Sequence, residues 1–114
     1  MKLSTMTKLI GLSTLAVAFS SAAYAAVDAD AASALVKKSG CLKCHAVDKD
    51  KKGPALKKIA TKFKGKADAE AQVVNIITKS PKVKMADGSE EEHKAIDSKD
   101  AAEIKNVAGW ILSQ

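Results

Sequence analysis

Arginine is absent from this 114-residue chain, and all 19 basic side chains are lysine. Without a guanidinium there is no bidentate fork for phosphate or for base edges, which argues against sequence-specific nucleic-acid binding. Aromatic residues are almost as scarce, with one Trp, one Tyr and two Phe. Cysteine occurs only at Cys41 and Cys44. A disulfide between residues three apart would close a small loop that stabilises little. The apolar segment Leu9 to Ser20 is shorter than the roughly 20 residues a membrane-spanning helix needs, so no stable anchor is expected.

That segment reads instead as the core of an export signal. Lys2 and Lys8 precede or open it, and Ala23-Tyr24-Ala25 offers small residues at the positions a signal peptidase reads. The expected division is therefore a leader over 1–25, cleaved after Ala25, and one domain over 26–114, delivered to the periplasm. Cleavage leaves 89 residues, with Phe63 and Trp110 the remaining aromatics and Met85 the remaining Met. A domain of this size is marginal on buried area alone. So aromatic-poor a core suggests that a large apolar group other than side chains fills it. The mature charge, 17 Lys against 13 acids, is about +4, suited to transient docking with acidic proteins.

The pattern along the domain is helical. After a frayed Ala26 to Asp30, Ala32, Leu35 and Val36 mark a short amphipathic helix over 31–39 with Gly40 as its stop. Cys41 to Gly53 is polar and lysine-rich, as a surface loop should be. Pro54 fits the first position of a helix carrying Leu56, Ile59, Ala60 and Phe63 on one face and ending at Gly65. A third helix is expected over 68–79, with Val73, Ile76 and Ile77 on one face and Asp68 and Glu70 in the first turn. Between Pro81 and Asp97 no helical period appears, but Asp87-Gly88 suits a tight turn that sets Lys82 and Lys84 opposite Glu90-Glu91-Glu92. The last helix, 98–112, buries Ile104, Val107, Ala108 and Ile111 and carries Asp100 and Glu103 at capping-box spacing.

Cys41-Leu42-Lys43-Cys44-His45 is the attachment pattern for haem c. Two thiols at this spacing reach the two vinyl groups on one side of the macrocycle, and the adjacent His45 is held beneath the iron. A structural zinc site needs four ligands, whereas the chain has two Cys and two His. A thioredoxin-like dithiol needs a βαβ setting that a helical chain lacks.

The segments Lys38 to Asp48, Gly53-Pro54-Ala55-Leu56 and Val107 to Gln114 together resemble the small bacterial class I cytochromes c, over nearly the whole mature chain. The resemblance implies an all-α fold of about four short helices around one covalent haem, the first and last crossing near it. It implies that the Pro54 carbonyl accepts a hydrogen bond from His45, that Gly109 sits at a tight crossing, and that Trp110 packs near the porphyrin. It also implies a monomeric single-electron carrier between redox partner proteins, and not an enzyme.

For the sixth iron ligand the mature chain offers His93 and Met85. In the family the ligand is usually a Met before Pro, about 16 or 17 residues before the aromatic of the last helix. Met85 is followed by Ala86 and precedes Trp110 by 25 residues, while His93 precedes it by 17. The spacing favours His93, with Met85 the alternative. Two imidazoles would set a lower potential than Met with His. A haem enzyme or gas sensor with a labile, peroxidase-like distal site is the competing function, although no distal Arg is available to it.

Overall fold

A computed structural model describes residues 26–114; the expected leader over 1–25 lies outside them. The element order is α1 (Ala29–Lys38), a 3-10 turn (Cys41–Lys43), α2 (Leu56–Phe63), α3 (Ala69–Lys79), β1 (Lys82–Lys84), β2 (Glu90–Glu92) and α4 (Ala101–Leu112). Four helices carry the fold, as the hydrophobic spacing predicts.

The helix starts follow their caps, and these correct the expected boundaries. Residues 26–30 are not frayed throughout: the Asp28 carboxylate accepts from the Ala31 amide at 3.0 Å, so α1 begins at Ala29. Asn106 on α4 binds the Asp28 backbone twice, accepting from its N–H and donating to its carbonyl, both at 2.8 Å. Asp30 in the first turn and Lys37 and Lys38 in the last complement the helix dipole. α4 begins at Ala101, later than expected, because Asp100 accepts from the Glu103 amide at 2.9 Å. The other half of the box is relayed, since Ser98 donates to the Glu103 carboxylate and accepts from the Asp100 amide.

Pro54 is not the first residue of α2. Ala55 is the N-cap, in an extended conformation, and Pro54 precedes it. The amides that open α2 are taken up by the preceding loop: Ala55 donates to the Asp50 carboxylate, Leu56 to the Ala46 carbonyl and Lys57 to the Val47 carbonyl. The stretch expected as a plain surface loop is therefore pinned at both ends, by the 3-10 turn and by the start of α2.

α4 is the hub, packing on α1, α2 and α3. Its buried Val107, Ala108 and Ile111 meet Ala32 and Val36 of α1, Phe63 of α2, and Val73 and Ile77 of α3, with Ile96 joining from the segment before α4. Fully burying a side chain such as Val36 or Val107 is worth about 1.5–3 kcal/mol. A Cβ on Gly109 would come within 3.0 Å of the Val27 side chain, so α4 passes close to the segment that precedes α1. Trp110 is half-buried against the same core.

β1 and β2 pair antiparallel, Lys82 opposite Glu92 and Lys84 opposite Glu90, the charge pairing the sequence predicts. Such pairs contribute about 0.2–1 kcal/mol each. The turn is closed by Asp87, whose carboxylate accepts from the Ser89 amide and hydroxyl, and by Gly88 at φ 86°.

Candidate metal centre

Gly40, at φ 75°, turns the chain out of α1 into the 3-10 turn. There the amides of Cys44 and His45 both donate to the Cys41 carbonyl, at 3.2 and 3.0 Å. This coil gathers the two thiols and the imidazole into about one turn, all three half-buried. The two cysteines are not joined to each other in a disulfide. Burial pushes the Cys41 thiol up, while its backbone hydrogen bond and the Lys94 ammonium pull the other way.

The His45 ring is held from two sides. Its Nδ1 lies 2.7 Å from the Pro54 carbonyl; a carbonyl only accepts, so Nδ1 carries the proton and Nε2 presents its lone pair. Gly53 backs the ring so closely that a Cβ there would lie 2.6 Å from Cε1. Gly53 itself is anchored through its amide to the Cys44 carbonyl at 2.7 Å.

His93 faces His45, with ring centroids 6.1 Å apart and planes inclined by 41°. Its amide donates to the Pro81 carbonyl at 2.9 Å, continuing the hairpin ladder by one pair. Its Nδ1 is buried and meets no hydrogen-bond partner. Burial, and then the neighbouring His45, holds its pKa below the ordinary imidazole value, against a smaller pull from the backbone at Lys94 and Ile76. Met85 lies at the mouth of the hairpin turn, half-buried, its amide donating to the Ser89 carbonyl and its carbonyl accepting from Gly88. The fold thus brings the two histidine rings close together, tilted against each other, and leaves Met85 on the turn.

The separation of the rings can be tested against the group the motif implies. A ring nitrogen lies about 1.1 Å from an imidazole centre when ring bonds are about 1.33 Å, and a metal–imidazole bond is about 2.0 Å. Two rings sharing one ion from opposite sides therefore have centres roughly 6 Å apart. The observed 6.1 Å fits that arrangement. Among the described residues no three His, Cys, Asp or Glu side chains gather as a metal site. An iron between the rings would take its remaining ligands from the macrocycle that the attachment motif implies.

Asp50 is a residue the sequence reading did not single out, one acid in a polar run. Its carboxylate takes the Ala55 amide at 2.9 Å and pairs with Lys58, tying the loop to α2 immediately after Pro54. First the Lys58 hydrogen bond and then the Ala55 amide hold its carboxyl below the ordinary carboxylate range. Because the folded pKa is the lower one, this stabilisation is present above the unfolded pKa and is lost as pH falls through the folded value. The Asp50→Asn protein is expected to lose part of the acid limb seen in wild-type unfolding midpoints below about pH 4. Superimposable acid limbs would remove Asp50 from this role.

Comparisons with known proteins identify the family. Residues 29–114 match the family model described as cytochrome c. The chain is 36% identical over 84 residues to cytochrome c-551 of Pseudomonas aeruginosa, covering 70% of this chain and 73% of that protein. It is 35% identical over 103 residues to cytochrome c-552 of Nitrosomonas europaea, covering 81% and 82%. Among solved structures, the class 1 cytochrome MtoD of Sideroxydans lithotrophicus ES-1 aligns with a TM-score of 0.74 and 53% identity, over 77% of this chain and 97% of that one. This chain belongs to the cytochrome c family, as a small bacterial class I member carrying covalent haem c and serving as an electron carrier.

Proposed function

We propose that this electron carrier works in the periplasm after cleavage of its leader following Ala25. It binds haem through thioether bonds at Cys41 and Cys44, with His45 and His93 on the two faces of the iron. The haem, when bound, supplies a one-electron couple, and the protein supplies its fixed surroundings. The observation that carries the axial assignment is the 6.1 Å separation of the two rings. By accepting from Nδ1, the Pro54 carbonyl orients His45 and raises its basicity. Trp110 contributes to the packing around the macrocycle. With both axial positions taken there is no vacant site for a substrate, which supports a carrier over an enzyme or gas sensor. The oxidised and reduced spectra, each with and without carbon monoxide, test this: low-spin iron in both states with slow carbon monoxide uptake supports it, and rapid uptake overturns it.

Partner docking belongs to the same reading. Of the lysines around the attachment motif, Lys57 pairs with Asp48, Lys58 with Asp50 and Lys38 with Asp97, and Lys51 donates to the Leu42 carbonyl. Lys37, Lys43, Lys49 and Lys52 are exposed and have no acidic partner among the described residues. These four carry the charge that steers a monomer toward acidic redox proteins. Joint replacement of Lys43, Lys49 and Lys52 by Glu is expected to slow electron exchange with such a protein at low salt roughly tenfold or more. Rates that ignore both ionic strength and these substitutions would count against steering.

Among the described residues no helix is long and apolar enough to cross a membrane.

A further inference from the structure

Ser39 is the one buried polar residue among the described residues, 2% exposed. It ends α1, its amide donating to the Leu35 carbonyl at 2.9 Å, and it stands two residues before Cys41. Its hydroxyl oxygen accepts the amide of Asp97 at 2.8 Å, across 58 residues of sequence. Asp97 is four residues beyond His93.

The segment from His93 to Asp97 has three backbone ties. The His93 amide donates to Pro81, the Ile96 amide to Ile77 at 2.8 Å, and the Asp97 amide to Ser39. The first two tie it to α3 and the residues that follow α3. Only the third reaches the part of the chain that runs directly into the Cys41–His45 motif. The Lys38–Asp97 ion pair spans the same gap at 3.3 Å, but both side chains are 68% exposed, and pairs so exposed contribute little.

We infer that Ser39 is a positioning residue whose hydroxyl fastens the segment bearing His93 to the segment bearing His45, and so limits how readily the His93 side opens. This rests on the reading that His93 is the distal ligand. The Ser39 hydroxyl is buried and its bond to the Asp97 amide is part-buried, so removing the hydroxyl takes away the acceptor that closes this tie. Opening the segment at Asp97 then frees the four residues that hold the His93 ring over the iron.

The test compares holoprotein from wild type, Ser39→Ala and Ile111→Val. Ile111 is 8% exposed in the same core, and its trimming lowers stability while leaving the Ser39–Asp97 bond in place. Carbon monoxide association with the ferrous protein is expected to be up to roughly tenfold faster in Ser39→Ala than in wild type, the scale of one lost hydrogen bond. In Ile111→Val it is expected to stay near wild type. Equal rates in the two variants, once matched for thermal stability, would overturn the assignment. A second reading needs no variant: in wild-type amide exchange, Asp97 should be protected well beyond Lys99, an exposed residue with no acceptor for its amide. Equal exchange at the two positions also overturns it. A wild-type near-infrared band of Met-ligated ferric haem would instead defeat the distal assignment itself, a failure separate from either result.

Discussion

His93→Ala holoprotein is expected to bind carbon monoxide rapidly in the ferrous state, and Met85→Ala holoprotein to behave as wild type. In the wild type the two imidazoles stand at the separation expected of rings sharing one ion, so under the proposed ligation an incoming ligand would first have to displace His93. Removing that ring vacates the position, and uptake is then limited by access alone. The ferric protein should change with it, from a low-spin spectrum to one with water or no sixth ligand. Met85 cannot substitute without rearrangement, because its backbone is engaged on both sides in the hairpin turn. The wild-type ferric protein should lack the near-infrared charge-transfer band of Met ligation. Its potential should lie below that of Met/His relatives. If the band is present and only Met85→Ala abolishes it, the iron is held by His45 and Met85, and His93 is merely a half-buried ring nearby.

The parts of the site that could be read in the sequence are those whose chemistry sits on neighbouring residues. Cys41, Cys44 and His45 carry their own spacing, and Gly53-Pro54 follows at a distance that marks the same motif. The helices were legible because each keeps an apolar stripe of 3.6-residue period, and their starts were misplaced where a cap decided them: Asp28 and Asp100 fix α1 and α4, and Ala55 displaces Pro54 from α2. The hairpin was legible from Asp87-Gly88 and opposite charges. Contacts across long stretches of chain were not. Nothing in the order of residues pairs Ser39 with Asp97 or Asn106 with Asp28, since a single Ser or Asn carries no periodicity and its partner is chosen by packing. The close placement of His45 and His93 stands between these cases. A count of residues back from Trp110 points to it, but only the tertiary fold gives the distance.

Gly53→Ala is expected to disturb the iron environment more than any other single methyl group added near the motif. The added Cβ would lie 2.6 Å from Cε1 of His45, 3.0 Å from Nδ1 and 3.1 Å from Nε2. The first distance is one that real Cβ atoms essentially never show, and the obstacle is a rigid ring, not the end of a flexible chain. The ring cannot swing aside cheaply, because the 3-10 turn fixes its backbone and the Pro54 carbonyl holds its Nδ1 at 2.7 Å. Relief must come from lengthening that bond or from moving the Gly53-Pro54 backbone, which is itself tied to Cys44. Overpacking of this kind typically costs about 1–3 kcal/mol, or on the order of 4–20 °C in unfolding midpoint for a domain of this size. A weakened bond to Pro54 also lowers the basicity of His45, so the potential and the ferric spectrum should shift together. Gly88→Ala is the matched control. Gly88 has positive φ and nothing within 4 Å of an added Cβ, so its substitution strains the backbone by about 1–2 kcal/mol but leaves the iron spectrum unchanged. If Gly53→Ala likewise lowers stability with no spectral change, the ring of His45 is not braced by Gly53. Its orientation would then rest on the Pro54 carbonyl and the attachment motif alone.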